Sequence, residues 1–233
     1  ALGPVQRDGR ALEHGKRVDS FYRRSGWLLE RCEDEDIRVV REGFAATAAV
    51  TLTWPGPHAN WRGEFTGAID TSRQAMAAAR QLNDGLSELL SLAFMCLAQI
   101  GLGDYREAIV TIDEGLAKAR ERNNSFIVGR LTNTLGWLYQ ELGDFPRATE
   151  YNREAVDIGR QAKNANVEVS SLINLGLDQL HLGNSRQAIT LMEETQERVE
   201  RHALGAHRWR WSNHLSLYLS EALLATGEAS RAL

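Results

Sequence analysis

Three histidines toward the C-terminal end, His202, His207 and His214, are the first residues whose type and spacing invite chemistry. Imidazoles hold zinc when three or four ligands converge. On a continuing helix His202 and His207 point apart, whereas His207 and His214, seven residues apart, could share a face. No third ligand stands near them in sequence, so solvated histidines are the simpler reading and no metal site is assigned. The tetrapeptide Gly-Leu-Gly-Asp at 101–104 opens like a dinucleotide loop, but Arg106 occupies the third glycine position and a helical pattern, not a strand, precedes it. The run His207-Arg208-Trp209-Arg210-Trp211 interleaves cations and aromatics as base-stacking surfaces do. On a helix its two tryptophans point in widely different directions, which favours packing first, protein contact second and nucleic acid last. A GxxxxGK[ST] phosphate loop, a HExxH zinc helix and paired CxxC motifs are all missing, so no catalytic residue and no cofactor is assigned.

Composition narrows the class further. The 233 residues are 25% charged and 43% hydrophobic, a balance that builds a packed core rather than a disordered chain. The formal charge of −4 leaves no basic excess to neutralise a phosphate backbone, so nucleic acid is not an expected partner. No run approaches about 18 consecutive apolar residues and the N-terminus lacks the order of a signal peptide, so no membrane is expected. Cys32 and Cys96 stand far apart and cannot form a dense disulfide framework; the cytoplasm is the expected compartment. All four prolines lie at or before Pro146, which predicts a chain dominated by helix.

A fixed period organises these helices. Gly-Glu-Phe at 63–65, Gly-Asp-Tyr at 103–105, Gly-Asp-Phe at 143–145 and Gly-Asn-Ser at 183–185 recur every 40 residues, and Gly-Glu-Ala at 227–229 follows. Five residues after each glycine stands an alanine: Ala68, Ala108, Ala148, Ala188 and Ala232. The stretches before the glycines carry apolar residues at helical spacing, for instance Leu131, Leu135, Leu138, Tyr139 and Leu142. Each glycine can close its helix in the left-handed conformation, and the Asp or Asn after it can cap the next. The second helix of each unit runs out at the polar breaks Asn83-Asp84, Asn123-Asn124 and Lys163-Asn164. Neither helix can bury its apolar stripe alone, so stacking of helix pairs follows.

With these features the units resemble tetratricopeptide repeats, in a 40-residue variant. Asn-Leu-Gly at 174–176 and Thr-Leu-Gly-Trp-Leu-Tyr at 134–139 match the core of the first helix. Ala68, Ala108, Ala148 and Ala188 match the small residue of the second, and Ala75 and Ala155 its later alanine; Gly115 and Thr195 depart there. Arg80, Arg120, Arg160 and Glu200 replace the proline that ends the second helix, which predicts a helix continuing by more than one turn and hence the longer period. The resemblance implies an all-α fold, a right-handed superhelical solenoid of antiparallel helix pairs. The expected units are an N-terminal helix at 1–35, half of an earlier repeat, then repeats at 36–84 (with a Trp/Pro/Gly loop insertion), 85–124, 125–164 and 165–206, and a truncated one at 207–233. The N-terminal residues fit less well: 9–32 and 37–52 read as further helices, and Trp54-Pro55-Gly56-Pro57 as a tolerated loop insertion or a docking loop. The chain reads as a piece of a longer protein.

In such arrays function lies in side chains that first helices project into a concave groove. The resemblance implies an apolar groove end at Phe94, Leu97 and Ile100, grading into Arg130, Asn133, Trp137, Gln140, Ser170, Asn174, Leu177 and His181, and then His214, Tyr218 and Glu221. Asn133 and Asn174 suit both groups of an extended backbone, Arg130 suits a carboxylate, and Trp137 is an aromatic anchor; either asparagine could instead brace adjacent helices. The arrangement resembles the C-terminal arrays of bacterial signalling proteins that join a switch ATPase to a cyclase or a LuxR-type DNA-binding domain. A non-catalytic regulatory domain that binds a protein or peptide, or other domains of its own parent chain, is therefore expected. Two alternatives stay open: an inducer-binding domain, favoured by an enclosed polar groove around Asn133, Asn174 and His181, and a scaffold that forms a homodimer, favoured by exposure of Phe94, Leu97 and Ile100.

Overall fold

The computed structural model describes residues 59–60, 62–201 and 208–232. The expectations for residues 1–58, for His202 and His207 and for the Trp209 side chain lie outside this set. All regular structure among the described residues is helical. The helices are α1 (Phe65–Gln81), α2 (Gly85–Leu102), α3 (Tyr105–Glu121), α4 (Ser125–Glu141), α5 (Phe145–Gln161), α6 (Ala165–His181), α7 (Ser185–Arg201), α8 (Arg208–Ala225) and the short α9 (Ala229–Ala232). Neighbours in sequence pack on one another, α1 on α2, α4 on α5, α5 on α6 and α6 on α7, so the expected tetratricopeptide-like fold of repeated helix pairs is what the chain forms.

One turn geometry generates the pairs. From α1 to α7 the helices begin every twenty residues, half the period visible in sequence. The residue that reverses the chain has positive φ at Gly63, Asn83, Gly103, Asn123, Gly143, Lys163 and Gly183, and again at Gly227. At each, two backbone N–H groups reach back to close the helix. At the first asparagine, Asn83 N donates to Arg80 O at 3.2 Å and Asp84 N to Ala79 O at 2.8 Å, a Schellman closure. The second of these residues then opens the next helix. Asp84 accepts from the N–H groups of Leu86 and Ser87, Asn124 from Ile127, Asp144 from Arg147 and Asn164 from Val167. This closure corrects the expected lengthening of the second helices: α1, α3 and α5 end one residue beyond Arg80, Arg120 and Arg160, because the left-handed residue stops them there. The arginines serve the packing instead. Arg80 Nε bonds Glu88 Oε1 at 2.9 Å, and Arg160 Nε bonds Glu168 Oε1 at 3.1 Å, each tying a second helix to the first helix of the following pair.

The contacts divide the chain into two units, the first ending at Gly115 and the second beginning at Leu116. In the first, Ala68 and Ile69 of α1 pack with Leu92, Met95 and Ala98 of α2, beside Phe65 and Met76. α2 is long and apolar enough to cross a membrane by length and composition, yet 67% of it is buried inside the protein, as suits a core helix. In the second unit Val169 and Ile173 of α6, Ala188, Ile189, Met192 and Val199 of α7 and Leu215, Ala222 and Leu223 of α8 form one core. The repeat alanines Ala68, Ala108, Ala148 and Ala188 are fully buried, where a larger side chain would push the paired helices apart. Thr195, one of the departures from the repeat pattern, is buried too, and its hydroxyl donates to Leu191 O at 2.7 Å.

Candidate functional site

In the second unit the first helices of three successive pairs, α4, α6 and α8, lie side by side in that order. Most sequence-derived candidates sit on these helices. Arg130, Asn133, Trp137, Ser170, Asn174, Leu177, His214 and Tyr218 are half-buried, and His181 and Glu221 are exposed. Trp137 Nε1 donates to Glu141 Oε1 at 2.8 Å, which holds the indole along the outer turn of α4. Ser170 turns its hydroxyl to Val167 O at 3.1 Å. Arg130 is engaged within the protein and does not stand as a free cation. The His181 ring stacks on Phe145 of α5, centroids 4.4 Å apart.

On α8, Trp211, His214 and Tyr218 follow one another along the helix, with neighbouring ring centroids 5.9 and 6.1 Å apart. Trp211 Nε1 donates to Asn166 Oδ1 at 3.3 Å and the indole packs against the core, so this tryptophan fastens α8 to α6. Burial lowers the pKa of His214, and the nearby Arg210 adds to the effect. Burial raises that of Tyr218, helped by the carboxylates of Glu221 and Glu141.

Between α4, α5 and α6 lies a cluster that sequence reasoning did not find as a unit. Asp178 of α6 and Asn152 of α5 are fully buried, and Gln140 of α4 nearly so. Gln140 Nε2 donates to Asp178 Oδ1 at 2.6 Å and to the backbone oxygen of Asn174 at 2.9 Å. Asn152 Nδ2 donates to Asp178 Oδ2 at 2.8 Å, and Asn133 Nδ2 donates to Asn152 Oδ1 at 3.1 Å. Gly136 makes room for this chain: a Cβ there would lie 2.1 Å from Asn152 Oδ1. Burial pushes the Asp178 carboxyl up to about 6, against the opposing pull of the Asn152 and Gln140 hydrogen bonds and of the charges on His181 and Arg153. A signal was present in the repeat. Asp178 occupies the position held elsewhere by Ala98, Leu138 and Ala222, and Asn152 that of Ser72, Ile112 and Met192; all six are buried, and all but Ser72 are apolar. Asn133 likewise replaces Ala93 and Ile173, and Gln140 replaces Ile100 and Leu180.

The expected contact residues thus separate. Gln140 is buried with both amide hydrogens used inward, so it braces α4 against α6 instead of facing a ligand. Asn133 is partly spent, whereas the side-chain amide of Asn174 makes no hydrogen bond to the described residues. His181 is exposed, so it does not help enclose a polar pocket with the two asparagines. In the first unit Phe94 and Ile100 are buried at 8% and 3% exposure, with Leu97 half-buried, so these three do not present the exposed apolar patch that dimerisation would use. No cluster of three or more metal-ligating side chains occurs among the described residues.

The tetratricopeptide-repeat family matches residues 169–194, which span most of α6 and the first part of α7. No curated protein matches the chain in sequence. Among solved structures, BtubC from P. vanneervenii is similar at a TM-score of 0.62 and 17% identity, over 96% of this chain and 86% of that one. A Rap protein complexed with Competence and Sporulation Factor is similar at a TM-score of 0.70 and 15% identity, over 96% of this chain and 60% of its own. A signal-transduction ATPase with numerous domains and a tetratricopeptide repeat sensor, from Pyrococcus horikoshii, is similar at 0.56 and 15% identity; 94% of this chain covers 34% of that one. At these identities the likeness is one of fold.

Proposed function

We propose that the face shared by α4, α6 and α8 is a groove that binds an extended peptide segment of a partner protein, and that the chain is the regulatory or sensor part of a larger bacterial signalling or transcription-regulating protein. The observation that carries the reading is the set of half-buried side chains with open bonding capacity on three adjacent first helices. Asn174 offers a whole amide, Asn133 an oxygen, and Trp137 and Tyr218 aromatic surface. Such groups suit a backbone that alternates N–H and C=O, with aromatic anchors for side chains. Nothing in the cluster pairs a nucleophile with a base, so acyl or phosphoryl transfer has no support from these residues. The fold likeness to a Rap protein complexed with Competence and Sporulation Factor and to a protein with a tetratricopeptide repeat sensor is consistent with this role.

The test is a pull-down from source-cell lysate with the chain as bait, beside the triple variant Asn133→Ala, Asn174→Ala, Trp137→Ala. Recovery of one protein by the native bait and its loss with the triple variant is the expected result. Equal recovery by both baits would move the interaction off this face.

A further inference from the structure

The four-residue chain Asn133, Asn152, Asp178 and Gln140 places polar groups where neighbouring repeats place apolar ones. Each position is apolar in at least one neighbouring repeat, and apolar packing of similar volume commonly equals or exceeds a buried polar cluster in stability. Cohesion alone therefore does not explain it. What the chain has, and apolar residues lack, is direction. An ionised carboxylate only accepts hydrogen bonds. Asp178 consequently requires the nitrogen of Asn152 on its Oδ2, which turns the Asn152 oxygen toward α4. That oxygen in turn requires the nitrogen of Asn133. Gly136 leaves space for Asn152 to reach both partners, and Gln140 takes the other carboxylate oxygen, Oδ1. The end of the chain is Asn133 Oδ1, on a half-buried side chain, with no donor among the described residues.

We propose that Asp178 is a positioning residue for the groove: acting through Asn152, it orients Asn133 so that the groove face presents an acceptor oxygen, which selects ligands carrying a hydrogen-bond donor there, such as a backbone N–H of an extended peptide. This rests on the groove reading given above. Aligned hydrogen bonds polarise one another, so the outer oxygen is also a stronger acceptor than that of a solvated asparagine. A neutral residue at 178 with both donor and acceptor groups removes the constraint, and Asn133 then rotates to present either end.

The hydrogen-bond chain is testable without a ligand, by solvent exchange of side-chain amide protons in the full chain at pH 7.5, with the exposed Asn213 as internal reference. The Asn133 proton bonded to Asn152 is expected to exchange at least about tenfold more slowly than those of Asn213, as a buried hydrogen bond requires opening before exchange. In Asp178→Asn that protection is expected to fall to within about twofold of Asn213. The double variant Asn152→Met with Asp178→Leu copies the residues at the same positions in adjacent repeats; it guards against a misfolded single variant and is expected to behave likewise. Fast exchange of Asn133 in the native chain, or protection unchanged in both variants, overturns the proposal. The ligand side uses an immobilised random heptapeptide library and its copy N-methylated at alternate backbone nitrogens. Retention of the unmethylated library at least about tenfold better by the native chain, and loss of that preference in Asp178→Asn, is the expected outcome. Equal retention of both libraries by the native chain overturns the selection. Retention of neither overturns the groove reading, and slow exchange at Asn133 would still show the hydrogen-bond chain.

Discussion

Asp178 determines how the second unit responds to pH. Its carboxyl is raised from the ordinary 3.8 to about 6 by burial, so the folded state holds a proton that the unfolded state releases over that interval. The resulting stabilisation is full below the unfolded value and is lost as pH rises through the folded one. Relative to Asp178→Asn, the native chain is therefore expected to gain stability as pH is lowered from 7.5 to 5, which urea unfolding at a series of pH values measures. The neighbouring residues make a second prediction. Replacing the whole cluster by its counterparts, with Asn133→Ile, Gln140→Leu, Asn152→Met and Asp178→Leu, is expected to leave stability unchanged or higher while abolishing peptide retention. Removing Asn152 alone, as Asn152→Ala, is expected to cost about 2–4 kcal/mol, because a buried carboxylate oxygen loses its donor. At this scale the sequence was half legible. Asn133 stood out as a helix brace or ligand contact, and it proves to brace inward with its nitrogen. Asp178 was passed over because one acidic residue in a helical stretch reads as solvated surface; only comparison with Ala98, Leu138 and Ala222 marks it as interior.

The helices owe their bounds to the turns more than to their own composition. Glycine announces itself at the turn that joins the helices of a pair, so that turn was readable. The turn that joins one pair to the next uses Asn83, Asn123 or Lys163 in the same left-handed conformation, and asparagine or lysine carries a weaker signal. This is why the glycines mark the 40-residue period, while the breaks at Asn83-Asp84, Asn123-Asn124 and Lys163-Asn164 read as loops and not as the same turn. Lysine gains nothing locally from positive φ, whereas glycine adopts it without a Cβ penalty. Lys163→Gly is accordingly expected to stabilise the chain by roughly 0.5–1 kcal/mol, more than Asn123→Gly, in thermal or urea melts. Asn164→Ala, which removes the acceptor for Val167 N, is expected to destabilise by about 1 kcal/mol. The arginines in the last turns of α1 and α5 illustrate the limit of family patterns. Their position predicted helix extension, but their side chains reach acidic partners on the next helix while the backbone stops on schedule.

For the whole molecule, fold and class followed from period and composition because many weak signals repeat in phase. The groove residues followed from the same register, whereas the buried cluster around Asp178 did not, since it depends on one junction being unlike the others. The last of the first helices, α8, shows the same contrast. Leu217 and Leu224 of α8 are 63% and 60% exposed, whereas their counterparts Ala93 and Ile100, or Ile173, are buried. Leu217→Ser with Leu224→Ser is therefore expected to change the unfolding free energy by no more than about 0.5 kcal/mol, the range of surface substitutions.

The shared turn residue has a consequence for inheritance as well as for folding. One residue finishes a helix with its backbone N–H and begins the next with its side chain at Asp84, Asn124, Asp144 and Asn164, so these turns carry no slack between helices. An α-helix turns about 100° per residue, and a single residue inserted at such a turn would set the following helix out of register with the one before it. Over the run from α1 to α7, such a gene can change length safely only by whole helix pairs, forty residues at a time.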